Sequence, residues 1–264
     1  MSDTDKKYEF TGETCIVYNG VELHRIRALK DISGVVSAGE LGGWLEKENN
    51  LSQRGGCWVS GEAKVFDRAV VGGDAKVYGS AEVSGNAKVY GVAEVYGGAK
   101  VYEKAAVYGR AKVYGGAEVY GQADVFDRAE VYGFAVVTEC ACVCGCAKAY
   151  EDAFVCEDAQ IYGHAEVCGD IVVYGGANVS DGVLKSSRDY IMVGPIGSRN
   201  ALTTFNLTTG TVQTGCFKGT LGEFEKAIEE THKGNEHAVA YNTVAEFFRK
   251  LSSVKGLNSG EISS

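Results

Sequence analysis

The residues with the clearest potential for chemistry lie in a glycine-punctuated loop near the end of the chain. It runs Gly194-Pro195-Ile196-Gly197-Ser198-Arg199-Asn200 between two predicted strands. Such loops can direct backbone N–H groups at an anion, and arginine binds phosphate through two hydrogen bonds. The predicted ligand-binding residues are Gly194, Gly197, Ser198, Arg199, Thr203, Thr204 and Lys218. The loop lacks the Gly-Lys-Ser/Thr ending of a Walker loop, and a tight strand connection with a solvated arginine is the alternative.

The elements that must position this loop are dominated by a repeat of six residues. From Cys57 to Ala177 an alanine, or once an isoleucine, falls on nearly every sixth position, and a valine or isoleucine follows most of them two places later. A short fixed period over such a length predicts a solenoid. We therefore expect a mainly β protein, with residues 1–50 as a β cap, residues 51–182 as a solenoid and residues 183–264 as a small α+β module.

The charged residues predict a coil of 18 residues, made of three hexads. On such a coil, residues 18 apart lie on neighbouring strands of one face. Lys76, Glu94, Lys112, Glu130, Lys148 and Glu166 then alternate in sign along a first face, and Lys64, Glu82, Lys100 and Glu118 do so along a second. Opposite charges on neighbouring strands stabilise each other, whereas a period of 12 or 24 loses most of this alternation. About seven coils are expected, with Tyr78, Tyr96, Tyr114, Tyr132 and Tyr150 as an aromatic ladder.

The second face becomes apolar toward its carboxyl end, where its column continues with Val136, Phe154 and Val172. An outward apolar stripe usually marks a covered surface. The cover could be the C-terminal module or a second copy of the chain. We predict self-association through these three residues, with a trimer as one form it could take.

The cysteines do not predict a metal site. A zinc site needs four ligands that converge on one point. On an 18-residue coil Cys144, Cys156 and Cys168 lie on three different corners, and Cys140 and Cys146 also occupy different corners. We expect these cysteines to be reduced and to serve as small residues on the solenoid surface.

The entry into the repeats resembles a known family. The run Gly39-Glu-Leu-Gly-Gly-Trp-Leu-Glu-Lys-Glu-Asn-Asn-Leu-Ser52, with the hexads after it and the Leu23–Leu29 segment before it, is similar to YdcK-like hexapeptide-repeat proteins of bacteria and their phages. The resemblance covers about residues 7–182 and implies a left-handed parallel β-helix. It carries over no catalytic residue, since the family is labelled transferase-like through its fold alone. The tail around Gly194–Asn200 resembles a module of phage and mobile-element proteins.

Hexapeptide-repeat acyltransferases suggest one enzymatic alternative. They typically use a histidine base to deprotonate the acceptor, and His164 is the only histidine in the array. In that case acetyl-CoA would be the cofactor and would lie along the coils. Those enzymes usually carry loops that leave the coils to build an acceptor pocket, and residues 57–182 contain no insertion. A solvated turn histidine is therefore the simpler interpretation.

Local signals define the two flanking parts. Lys7–Phe10 and Cys15–Tyr18 predict short strands, and the pair Asn19-Gly20 predicts a hairpin that returns through Val21–Leu29. In the tail, residues 189–193, 203–207 and 211–217 predict three strands. Thr220 and Glu223 form a capping box for a helix to about Thr231, and Asn235 caps a second helix to about Leu251.

Composition limits the functions that fit this chain. The net charge of −9 disfavours non-specific nucleic-acid binding, and no apolar run approaches the length of a membrane span. Met1–Lys7 has no signal-peptide character, so we expect a cytoplasmic protein. The favoured hypothesis is a non-enzymatic binding or assembly protein without a cofactor, encoded by a phage or mobile element. Its tail would bind a host protein or a nucleotide-like ligand, as a counter-defence protein would; a virion component is a third hypothesis.

Overall fold

The computed structural model describes residues 6–18, 20–198 and 200–254. Strands β1 (Tyr8–Ile16) and β2 (Glu22–Ala28) form an antiparallel hairpin, and β3 (Leu41–Leu45) pairs with β2. The two strands predicted within residues 7–18 are one strand. Its register with β2 shifts between Phe10 and Thr14, but the pairing continues on both sides of the shift. Asn19 of the predicted turn lies outside the described residues. A 3-10 helix follows at Glu48–Asn50.

A parallel β-solenoid occupies the middle of the chain, and its short strands form three faces. The first face consists of Trp58–Val59, Lys76–Val77, Glu94–Val95, Lys112–Val113, Glu130–Val131, Lys148–Ala149, Glu166–Val167 and Val183–Leu184. The second face consists of β3, Lys64–Val65, Glu82–Val83, Lys100–Val101, Glu118–Val119, Val136–Val137, Phe154–Val155 and Val172–Val173. The third face consists of Val70–Val71, Lys88–Val89, Ala106–Val107, Asp124–Val125, Cys142–Val143, Gln160–Ile161 and Asn178–Val179. In chain order these two-residue strands are β4 to β25.

The predicted 18-residue coil is confirmed. Glu94 pairs with Lys76 on one side and Lys112 on the other, and both neighbours are in parallel register. The solenoid has about eight turns rather than the seven expected from the hexads. Strands at both ends add to the count. β3, which precedes the repeats, joins the second face with Trp44 opposite Lys64, and Val183–Leu184 joins the first face beside Glu166–Val167.

The alanine and valine columns fill the interior. Ala93, Val95, Ala111 and Val113 are fully buried, as are their counterparts in the other coils. Burial of valine contributes about 1.5–3 kcal/mol per side chain, while alanine is small enough for three strands to converge. At most corners a glycine has positive φ. Where an acidic residue replaces it, as at Asp127 (φ 59°), the carboxylate in most cases accepts a hydrogen bond from a backbone amide of the next coil.

The N-terminal hairpin folds over the beginning of the second face. Val17 and Leu23 of the hairpin bury Phe66, with Trp44 packed beside them. Tyr8 contacts Trp58 edge-on, so the same hairpin also covers the open end of the first face. The amino end of the solenoid interior is thereby closed.

The C-terminal module packs against the last coils. Strands β26 (Tyr190–Ile196), β27 (Ala201–Asn206), β28 (Thr211–Thr214) and β29 (Phe217–Thr220) form an antiparallel sheet, followed by α1 (Leu221–His232) and α2 (Glu236–Val254). There are four strands instead of three, because a turn at Gly215 (φ 54°) splits the predicted third strand in two. Both predicted helices and caps are confirmed: Thr220 and Glu223 form the capping box, and Asn235 accepts hydrogen bonds from the amides of His237 and Ala238.

Candidate functional site

The glycine-punctuated loop is largely part of a hairpin. Gly194 lies within β26, while Gly197 and Ser198 form the turn before β27. Arg199 lies outside the described residues. Gly197 has φ of +70°, and a Cβ added there would overlap the ring of Tyr241 in α2. The glycine therefore allows the turn to pack closely against the helix.

The remaining members of the predicted ligand-binding set are engaged in contacts within the protein. The hydroxyl of Thr203 is 2.9 Å from that of Thr214 and is buried between the strands. The hydroxyl of Thr204 accepts a hydrogen bond from the amide of Asn178 in the last coil. The ammonium of Lys218 lies 3.1 Å from the carboxylate of Asp181. The contacts of Thr204 and Lys218 join the C-terminal sheet to the end of the solenoid.

One small cavity lies beside the described members of that set. A polar cavity of about 10 Å³ lies between the last coil and the sheet, and of the predicted residues only Thr204 contributes to it. Such a volume is near the minimum that holds one water molecule. This cavity is part of a polar junction between the last coil and the C-terminal sheet.

The apolar stripe on the second face is present as predicted. Val136, Phe154 and Val172 are in-register neighbours on consecutive strands. Val136 and Phe154 are half-buried and Val172 is 38% exposed. The exposed rings of Phe134 (71%) and Tyr174 (48%) lie two residues along the chain from Val136 and Val172, respectively. Phe134 packs over Gly116 of the preceding coil, where a Cβ would come within 2.9 Å of the ring. Sequence reasoning missed both rings, although their apolar type at outward positions was the available signal.

Ion pairs occupy the amino half of the same face. Lys64 pairs with Glu82 at 3.3 Å, and Lys100 pairs with Glu118 at 3.0 Å. The hydrogen bond from Lys100 to Glu118 is the main cause that raises the pKa of Lys100. The second face thus divides into a charged half near the N-terminal hairpin and an apolar half near the C-terminal module.

His164 lies exposed at a corner of the solenoid. Its backbone amide donates to the carbonyl of Ser180 at 3.3 Å, and its imidazole makes no hydrogen bond with the described part of the chain. A catalytic base is normally oriented by a third group. The coils run through this region without an insertion, so the fold adds no acceptor pocket from a projecting loop.

The cysteines of the array are free thiols. No group of three or more His, Cys, Asp or Glu residues in the described ranges could hold a metal ion. Cys142 and Cys144 lie close together on the third face. Burial is the main cause that raises the pKa of Cys142 to about 12, with a further contribution from Cys144, and burial also raises the pKa of Cys144. Both thiols therefore stay protonated near neutral pH and are poor nucleophiles.

The predicted tyrosine ladder runs along the first face. Neighbouring rings of Tyr78, Tyr96, Tyr114, Tyr132 and Tyr150 stack at centroid distances of 4.8–4.9 Å and are nearly parallel. The phenol of Tyr114 donates to Glu130 at 3.0 Å. Burial is the main cause that raises the pKa of Tyr114, followed by this bond to a carboxylate. Because the ring faces stack on one another, only the ring edges and hydroxyls remain for contacts with a partner.

No protein-family model matches this chain, and a search of curated proteins likewise found no match. The geometry defines its class as a parallel β-solenoid built from hexapeptide repeats, with an N-terminal hairpin and a C-terminal α+β module. Neither helix within the described residues is long and apolar enough to cross a membrane.

Proposed function

We propose that the protein is a non-enzymatic assembly scaffold whose solenoid associates with a second copy of the chain. The observation that carries this proposal is the division of the second face into a charged half and an apolar half. The apolar half ends in two exposed aromatic rings, Phe134 and Tyr174. Exposed apolar patches of this kind, bordered by polar residues, are typical of protein–protein contacts.

The order of residues in the stripe favours a two-fold contact. Val136 and Val172 flank Phe154 symmetrically, one strand away on either side. A two-fold axis through Phe154, perpendicular to the solenoid, would place Val136 of each copy on Val172 of the other. In a two-fold interface the same patch serves both partners, so it must be complementary to itself. The valine–phenylalanine–valine order has this property.

The other candidate sites support a structural role for the rest of the molecule. Thr204 and Lys218 hold the C-terminal sheet to the last coil, and His164 has no orienting partner among the described residues. Assembly therefore accounts for more of the geometry than a phosphate site or acyl transfer does. The dimer would present two C-terminal modules on a rigid support.

The test is the molar mass of the purified full chain, measured by size-exclusion chromatography with light scattering over a range of concentrations. We expect a dimer, and we expect Phe154→Glu to give a monomer because two carboxylates would be buried at the axis. Val239→Glu, which replaces an exposed valine on α2, is the matched control and should leave the dimer intact. Unchanged circular dichroism would show that Phe154→Glu folds.

The possible outcomes separate the parts of this hypothesis. A monomeric wild type at all concentrations overturns the proposed assembly. A trimer that Phe154→Glu dissociates keeps the apolar stripe as the interface but overturns the two-fold arrangement. An oligomer that Phe154→Glu leaves intact places the contact elsewhere and contradicts the proposed interface.

A further inference from the structure

A buried lysine closes the amino end of the solenoid. Lys7 is only 1% exposed, although lysine is almost never fully buried unless it is paired. Its ammonium nitrogen lies 2.7 Å from the carbonyl oxygen of Cys57 and 3.1 Å from the Cys57 sulfur. No carboxylate of the described residues forms an ion pair with it. The lysine therefore has one distinctive side-chain partner, a thiol.

The thiol occupies a special place in the repeat. Cys57 is the first residue of the inward column that Ala75 and Ala93 continue in the following coils. Its sulfur is fully buried and is 3.5 Å from the carbonyl oxygen of Ser52 and 3.7 Å from that of Val71. Alanine would be sufficient for packing at this column. Cys57 therefore replaces alanine in the one described coil position of this column that contacts the Lys7 side chain.

We propose that Lys7 and Cys57 are a redox-sensitive pair, joined by oxidation through a covalent nitrogen–oxygen–sulfur bridge. With hydrogen peroxide as oxidant, the sulfur first attacks one peroxide oxygen. The O–O bond breaks, the S–O bond of a sulfenic acid forms, and the thiol proton leaves in a molecule of water. The Lys7 ammonium then releases one proton to water and becomes an amine. A second peroxide accepts two electrons as the sulfenic O–H and one amine N–H each lose hydrogen. An N–O bond then forms and two further waters are released.

The position of the pair would allow an oxidant to reach the sulfur, and it determines what the bridge would do to the protein. Strand β1, which begins beside Lys7, is the outermost strand of its sheet, and peripheral segments open locally more readily than core strands. Small oxidants such as peroxide can reach the sulfur during such openings. The bridge would link positions 50 residues apart and hold the hairpin to the first coil. It would thereby restrict opening of the end cap, as a disulfide that closes a long loop does.

The experiment is mass spectrometry of the full chain after treatment with hydrogen peroxide. We expect a product that has gained one oxygen and lost two hydrogens, in which trypsin no longer cleaves after Lys7. Its peptide should be joined to the one containing Cys57 and be released by a thiol reductant. Lys7→Arg keeps a cation but lacks the primary amine, and Cys57→Ala restores the residue of the other coils. Neither variant should form the product.

Cys168 is the internal control, because it is also buried but its partner is the phenol of Tyr150. It should show no bridge to a lysine under the same conditions. Oxidation of Cys57 to sulfinic or sulfonic acid with normal cleavage after Lys7 would overturn the proposal. So would a Cys57 that stays a thiol while exposed Cys140 is oxidised. If peroxide gives the bridged product only after urea unfolding, the folded geometry is not its cause and the proposal also fails.

Discussion

The ammonium of Lys148 lies 2.8 Å from the carboxylate of Glu166, although 18 residues separate them in the chain. The two residues are in-register partners on neighbouring strands of the first face. Glu166 also accepts a hydrogen bond from the phenol of Tyr150. Elsewhere on this face the carboxylate of Glu130 accepts from Tyr114 and forms no ion pair with Lys112. One sequence pattern thus produces two side-chain arrangements.

A double-mutant cycle should measure the interaction between Lys148 and Glu166. We expect Lys148→Met and Glu166→Gln to show a favourable coupling of about 0.2–1 kcal/mol in the free energy of unfolding, because the pair is partly exposed. Urea denaturation of the wild type, both single variants and the double variant provides the measurement. The matched cycle with Lys112→Met and Glu130→Gln should give a smaller coupling. Equal coupling in the two cycles would contradict the role assigned to the ion pair.

The same pair should make stability depend on pH in the acid range. The hydrogen bond from Lys148 is the main cause that lowers the pKa of Glu166 below its ordinary value of 4.5. Because the folded pKa is depressed, the stabilisation is complete above the unfolded pKa and is lost as pH falls through the folded value. The difference in unfolding free energy between wild type and Lys148→Met should therefore shrink from about pH 7 to about pH 3. A difference that stays constant over this range would show that the pair does not cause it.

The 18-residue coil could be predicted from the sequence because the charged surface residues repeat with the same spacing as the strands that pair. Lys76, Glu94 and Lys112 alternate in charge at the spacing of one 18-residue coil, and in the structure Glu94 lies between the two lysines. The second-face stripe followed from the same rule. Within the repeats, the period alone therefore predicts which residues lie on neighbouring strands, without information from the rest of the chain.

Contacts between different parts of the chain could not be predicted in this way. The packing of Gly197 against Tyr241 and the approach of Lys7 to Cys57 join segments that share no repeat. The sequence showed the glycine but not the ring that requires it, so the packing role of Gly197 could not be predicted. Lys218 similarly looked like a free donor until the structure placed it beside Asp181.

At a solenoid corner, an acidic residue in place of glycine should give a more stable protein than alanine in the same place. Asp127 has φ of 59° and accepts a hydrogen bond from the amide of Gly145 at 3.2 Å. Asp127→Ala would keep the unfavourable backbone and remove the bond, at a cost of about 0.5–1.5 kcal/mol for the bond alone. Asp127→Gly loses the same bond but relieves the backbone, as Gly109 and Gly145 do in the adjacent coils. We expect the glycine variant to be the more stable of the two by about 1 kcal/mol in urea denaturation.

If Asp127→Ala were as stable as the wild type, the hydrogen bond would contribute nothing at this corner. If the alanine variant exceeded the glycine variant, the backbone conformation would not be the limiting factor there.

The turn at Gly197 should be required for the C-terminal module to pack. A Cβ at this position meets both a φ of +70° and the ring of Tyr241, so Gly197→Ala must move the hairpin away from α2. Gly210→Ala is the matched control, because Gly210 has φ of +71° and nothing within 4 Å of the added Cβ. The control should cost only the backbone term of about 1–2 kcal/mol, and Gly197→Ala should cost more because of the added overlap. Hydrogen–deuterium exchange should accelerate in α1 and α2 of Gly197→Ala while the solenoid strands keep their protection. Equal exchange in both variants would mean that contact with Tyr241 does not hold the turn in place.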